Sequence, residues 1–178
     1  MSLGVASFAL VEGDQALVYD TGTTLARGQA IRAHLESLAV RHLRIILSHW
    51  HKDHVAGTAA FGEVEVIANA RSAAHLAQRR AEIEASAKWP PINPLVQPTT
   101  TCSGRMTLTL GARQVKLIEM NIQSDDATIL RVAAERLLFA GDTLEDPLTY
   151  VAEPEHLATH LGHASGTRIW PTSAVWRR

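Results

Sequence analysis

The aliphatic run from Leu43 to Leu47 stops at Ser48, and no other stretch constrains the fold as much. A strand of that composition is buried on both faces, so it has to be covered from two sides. Strand and helix patterns alternate around it. Val5 to Val11 is rich in strand formers, Glu12-Gly13-Asp14 is a turn and Gln15 to Tyr19 continues as an apolar strand, so the two read as a hairpin. Between Gly28 and Val40 the apolar residues Ile31, Leu35, Leu38 and Ala39 recur with a helical period. Beyond the central strand, Val64 to Ala68 is a further strand, and Asn69 caps a long Ala-rich helix running to Ala87. Lys88 to Arg105 changes character, with four prolines and a run of threonines, and reads as an extended surface loop of the kind that forms lids. Strands follow at Met106 to Leu110, Gln114 to Met120, Ala127 to Ala133 and Arg136 to Ala140. A helix opens near Pro154 and ends at Gly162 or Gly166, and Arg168 to Trp170 reads as a last strand. No internal repeat or linker interrupts this order, so residues 1–178 read as a single domain.

The chemistry is concentrated directly after the central strand. Ser48-His49-Trp50-His51-Lys52-Asp53-His54 places three imidazoles and one carboxylate within six positions, which packing alone does not ask for. In an extended turn residues two apart point to the same side, so His49 and His51 can hold one cation while Asp53 and His54 reach an adjacent position. Imidazole and carboxylate suit Zn²⁺, and also Fe or Mn. Trp50, between two ligand candidates, points away from them and packs. A weaker signal is the apolar strand Leu137 to Ala140 delivering Gly141-Asp142, because a lone carboxylate at a strand end is costly to bury without a cation or donors. Tyr19-Asp20-Thr21-Gly22 repeats that pattern, and Asp20 by itself reads as a loop-capping residue. His156, His160 and His163 share one face of the last helix and read as half-exposed surface, while His34, His42 and His75 have no companion ligands.

Composition removes other classes. Lys+Arg 17 against Asp+Glu 18 gives a formal net charge of -1 with no basic block, which argues against a nucleic-acid surface or a polybasic membrane patch. The chain has no apolar run long enough for a membrane span, and its start lacks the pattern of a signal peptide. The single cysteine, Cys102, fits a reducing cytoplasm. The expectation is a soluble, cytoplasmic protein acting on a small molecule.

Taken in order, these segments resemble the metallo-β-lactamase superfamily. The likeness covers nearly the whole chain: the strand ending in Asp20-Thr21-Gly22, the H-x-H-x-D-H run at His49 to His54, Gly57 just beyond it, Ser124 to Thr128 where the family has its next metal-binding loop, and the strand ending in Gly141-Asp142. The resemblance implies an α/β fold, an αββα four-layer sandwich with its site along one edge of the two sheets. It implies one or two zinc ions, with His49 and His51 at the first, Asp53 and His54 at the second, Asp142 bridging and Asp20 in support. It also implies a hydrolase using metal-activated water, with Asp53 orienting that water or carrying its proton. A small organic ester, thioester or lactone is the expected substrate.

Two departures stand against that pattern. Gln123 occupies the place where the family usually has a third histidine, and only Asp125 or water could compensate. Pro171-Thr172-Ser173-Ala174 stands where a final histidine is usual, and the chain stops early at Arg178, which suggests a truncated or altered C-terminus. They leave open a degenerate binding or regulatory domain that keeps the fold without catalysis. A mononuclear iron oxygenase built on His49, His51 and Asp142 is a further alternative. An uncovered site edge would also favour self-association into a homo-oligomer.

Overall fold

The computed structural model describes residues 5–86, 91–144 and 154–166. Alternation along three short strands decides how they are layered. In β2 (Gln15–Tyr19), Ala16 and Val18 enter one core while Leu17 and Tyr19 enter another. The same division recurs in β3 (His42–Ile46), where Ile45 and Ile46 point to opposite sides, and in β4 (Glu65–Asn69), where Val66 and Ala68 oppose Ile67. Side chains on successive strand residues leave by opposite faces, so a strand apolar at every position needs two covers.

These strands form the middle of a five-stranded sheet ordered β1-β2-β3-β4-β5. β1 (Phe8–Glu12) pairs antiparallel with β2 as the expected hairpin, and the remaining neighbours, out to β5 (Thr100–Cys102), are parallel. One face of the sheet is covered by α1 (Leu25–Ser37), a 3-10 turn at Thr58–Phe61, α3 (Ala70–Gln78) and α4 (Arg80–Glu84), which contribute Leu35, Phe61, Leu76 and Ile83 to the first core. The other face receives a four-stranded antiparallel sheet, β6 (Arg105–Leu110), β7 (Arg113–Glu119), β8 (Thr128–Val132) and β9 (Leu137–Phe139). Leu108, Leu110, Val115, Leu117, Leu130 and Val132 fill the second core between the sheets. Met120, Ala127 and Ile129 make a small third cluster with Ile118 and Leu138. On that side α5 (Leu157–Gly166) follows a 3-10 turn at Pro154–His156, and its His163 Nδ1 accepts the Asn121 N–H at 3.0 Å.

Three expectations need correction. The long helix after Asn69 is two helices, because Arg79 leaves helical geometry (φ -96°, ψ 7°) where its guanidinium lies 4.5 Å from the Trp50 ring centroid. The proline-rich stretch is not all loop: Thr100–Cys102 pairs with Ile67–Asn69 as the edge strand β5. The first helix opens at Leu25 rather than Gly28, with the Thr24 hydroxyl accepting the Arg27 N–H at 3.1 Å as its cap. The last strand expected at Arg168 to Trp170 and the Pro171 to Ala174 turn lie outside the described residues. Among the described residues no helix is long and apolar enough to cross a membrane.

One close approach sets how α1 meets the loop after β3. A Cβ on Gly28 would collide with the Gly57 carbonyl, and one on Gly57 with the Thr21 carbonyl. Alanine at position 28 would add about 1 kcal/mol of helix propensity, against an overpacking penalty of about 1–3 kcal/mol or more on backbone that cannot yield. Gly28→Ala should therefore lower unfolding stability on balance, read by urea denaturation, although alanine is the better helix former.

Candidate metal centre

The carboxyl ends of the parallel strands open on one edge of the sandwich, the usual place for a site in a sheet of this kind. β2 ends in Asp20, and β3 runs into Ser48 and the histidine segment. The second sheet brings the β7–β8 connection, with Gln123 to Asp126, and the end of β9 with Asp142. His51 is extended (φ -62°, ψ 145°) and precedes the short helix α2 (Lys52–Val55), which carries Asp53 and His54.

Asp20 organises this end of the first sheet. It is buried with φ +62°, a left-handed conformation that only local bonding makes tolerable for a non-glycine residue. Its carboxylate accepts the Ser48 backbone N–H at 2.8 Å, the Ser48 hydroxyl at 2.7 Å and the His54 Nδ1–H at 2.8 Å. It is therefore more than a loop cap. Its donors come from the ends of both the strand and the short helix that hold the histidines, and together they satisfy the buried carboxylate.

The five residues singled out by spacing converge. His49 Nε2 lies 2.9 Å from His51 Nδ1 and 3.6 Å from Asp142 Oδ2. One donor atom each from His49, His51 and Asp142 falls within 4.8 Å of the others. The second Asp142 oxygen, Oδ1, is 3.2 Å from His54 Nε2, and Asp53 Oδ2 is 3.6 Å from the same nitrogen. Asp142 thus offers one oxygen to each imidazole set. It gets there because Gly141, at φ +54°, brings the chain against Ser48: a Cβ at 141 would sit 2.9 Å from the Ser48 Cβ and 3.3 Å from the Tyr19 hydroxyl.

Burial, then the neighbouring His54 and His51, hold the His49 imidazole well below its usual range, so it is neutral. Burial also lowers His51, against the pull of Asp126 and Asp53. Burial pushes His54 the same way, but the charges and hydrogen bonds of Asp20 and Asp142 together outweigh it and raise it to about 11. Two neutral imidazoles beside two carboxylates form a donor set that suits a divalent cation. The fit is supported by Gln123 Oε1, a buried oxygen with no hydrogen-bond partner among the described residues.

Gln123 is buried with φ +70°, and its Nε2 stands 3.4 Å from His51 Nδ1, so an amide occupies the place where a third imidazole was anticipated. Asp125 does not compensate for it. Its Oδ1 is 2.9 Å from His75 Nε2, which also corrects the reading of His75 as lacking a companion. The acid that faces inward is Asp126, fully buried, accepting the Trp50 N–H at 2.9 Å and the Ser124 hydroxyl at 2.7 Å. Sequence reasoning quoted both acids but had no signal for which one turned in. It also assigned nothing to Tyr19, whose hydroxyl donates to the Thr128 carbonyl at 2.6 Å and ties the two sheets together beside the site. Trp50 packs on the first core, and its ring also meets His51 edge-on at 4.8 Å. His160 is buried rather than half-exposed, with His156 at 6.4 Å between ring centroids.

With this geometry in view, comparison with known proteins is decisive on family. A model of the metallo-beta-lactamase superfamily matches residues 2–173, and the chain belongs to that superfamily, whose members are mostly metal-dependent hydrolases. Among solved structures, the metallo-beta-lactamase of Cronobacter sakazakii with a HARLDQ motif superposes with a TM-score of 0.71 at 21% identity, covering 93% of this chain and 70% of that one. The metallo-beta-lactamase from Pontibacter korlensis superposes at 0.72 with 16% identity, covering 91% of this chain and 74% of that one. A beta-lactamase from Chitinophaga pinensis gives 0.67 at 16% identity, covering 94% and 69%. At such identities the likeness carries the fold, and no curated protein matches the chain in sequence. Fold and donor set together imply a divalent metal.

Removing Asp126 should loosen the Trp50 segment. Asp126→Ala leaves the Trp50 N–H without its acceptor and should cost about 1–3 kcal/mol in urea unfolding, whereas Asp126→Asn keeps an acceptor there and should lose less.

Proposed function

We propose that this protein is a zinc-dependent hydrolase of a small organic ester, thioester or lactone. The observation that carries the proposal is the split of Asp142, one oxygen 3.6 Å from His49 Nε2 and the other 3.2 Å from His54 Nε2. In this reading His49, His51 and Asp142 hold one cation, with the Gln123 oxygen as a neutral fourth donor, while Asp53, His54 and Asp142 hold a second. Bound zinc supplies a water acidified from about 15.7 towards 7 and polarises the scissile carbonyl.

The chain's own residues do the rest. Asp142 sets the separation of the two positions. Asp53, partly exposed at the mouth and 3.6 Å from His54 Nε2, orients the attacking water and takes its proton. Asp20 and Ser48 keep the histidine segment from relaxing, and the packed sheet ends exclude bulk water from the buried side of the centre.

A second reading draws on the same cluster. His49, His51 and Asp142 alone form a two-His-one-carboxylate set, which suits a mononuclear iron site and oxygen chemistry. Elemental analysis of protein purified without chelator separates the two: close to two zinc per chain supports the hydrolase, and one iron with negligible zinc overturns it in favour of the second reading.

Two variants probe the assignment of roles. Asp53→Ala should leave the first position's metal bound and lower kcat for ester or lactone hydrolysis by about 100-fold or more, the usual contribution of a positioned acid or base; full turnover with metal bound would remove Asp53 from the chemistry. Gln123→His exchanges an amide oxygen for an imidazole, the better zinc ligand, and should tighten zinc binding at the first position, read by competition with a chromophoric chelator.

A further inference from the structure

We propose that Ser48 is a positioning residue for the metal centre: its hydroxyl, pinned by Asp20, accepts the Nδ1 proton of His49 and thereby turns the His49 Nε2 lone pair toward Asp142. The inference rests on the metal-centre reading above and adds to it a residue outside the donor set.

A buried chain of hydrogen bonds from Asp20 through Ser48 to His49 fixes where each proton sits. In the 2.7 Å contact between Ser48 Oγ and Asp20 Oδ2 the hydroxyl donates and the carboxylate accepts, which fixes the serine proton on that bond. The same carboxylate takes the His54 Nδ1 proton at 2.8 Å, shorter than the 3.4 Å from Ser48 Oγ to that nitrogen, so His54 does not compete for the hydroxyl. Ser48 Oγ is left with lone pairs only. His49 Nδ1 lies 2.9 Å from it, and a bond there requires the ring to be protonated at Nδ1. In a neutral imidazole the other nitrogen, Nε2, is then bare, and it is the atom 2.9 Å from His51 Nδ1 and 3.6 Å from Asp142 Oδ2.

The opposite tautomer would put a proton where a cation's donor should be, and would leave Ser48 Oγ and His49 Nδ1 facing each other as two acceptors in a buried site. Ser48 also has no freedom to turn away. Its backbone N–H is bound to Asp20, its carbonyl accepts the Thr128 N–H at 2.7 Å, and Gly141 packs against its Cβ. One carboxylate therefore orients an imidazole at each position, His54 directly and His49 through a single hydroxyl.

The test uses the full chain, metal-free and labelled with ¹⁵N, in which long-range ¹H–¹⁵N correlation reads the tautomer of each imidazole. His49 is expected as the Nδ1–H form. In Ser48→Ala that preference should be lost and Co²⁺ affinity, followed by its visible absorption, should fall about tenfold or more, the usual cost of losing a partner behind a ligand. Ser48→Thr, which keeps the hydroxyl, should retain both. Finding His49 as the Nε2–H form in the unaltered protein overturns the proposal, and this spectrum decides the point even if Ser48→Ala does not fold. A His49 that stays Nδ1–H in Ser48→Ala overturns it, as does a changed tautomer with undiminished Co²⁺ affinity. If the unaltered protein bound no Co²⁺ or Zn²⁺ at all, the metal reading would fail, and the tautomer spectra would still report separately on the hydrogen-bonded chain.

Discussion

The carboxylate of Asp20 is the constraint on which the rest of the site depends. It sits at the end of β2 in a left-handed conformation, buried, and binds three donors from residues 48 and 54. A buried charge is tolerable only when its hydrogen bonds are met, so this residue and its partners must be arranged together or not at all. Thr21 extends the same joint: its backbone N–H and hydroxyl both bind the His54 carbonyl, at 2.8 and 3.0 Å. The end of one strand thus holds the loop that follows its neighbour, and three histidines inherit their positions from that hold.

The second sheet completes the site by docking on the first. Its contribution is conveyed by a few contacts at one edge: Thr128 N–H to the Ser48 carbonyl, the Tyr19 hydroxyl to the Thr128 carbonyl, and Trp50 N–H to Asp126. Between the sheets the core is aliphatic apart from Tyr19, with Phe139 5.9 Å from its ring, so burial there drives the docking while the polar contacts at the edge fix its register. Asp142 then arrives beside Ser48 because Gly141 leaves room for backbone at that point. The donor atoms of the centre are in this sense a consequence of sheet packing, drawn from residues 49 to 142 of a chain that closes on itself at this edge.

Much of this architecture was legible in the sequence, for reasons that differ by element. Gln15 to Tyr19 matches its strand because apolar side chains bounded by a turn and by Asp20 leave little choice, and Asn69 caps its helix as read. The break at Arg79 was not legible, since nothing in an Ala-rich stretch marks it; it coincides with the guanidinium stacked on Trp50, a contact between residues 29 positions apart. β5 was missed because three residues, Thr-Thr-Cys, carry almost no pattern of their own and become a strand only against the edge of β4. His75 and Asp125 looked unrelated for the same reason: their pairing depends on α3 lying beside the β7–β8 connection.

The sequence by itself determined the chemistry of the donors and the layering of the strands that carry them. Imidazoles and a carboxylate packed into six residues after a two-faced strand are local facts, and local spacing is enough to read them. What only the tertiary structure decided is which remaining polar groups turn inward: Asp126 rather than Asp125, the Gln123 amide beside His51, Ser48 between Asp20 and His49, and the two oxygens of Asp142 divided between two imidazole sets. Those choices depend on distances between segments up to 93 residues apart. Such distances are set by how two sheets pack, and no pattern within a single segment encodes them.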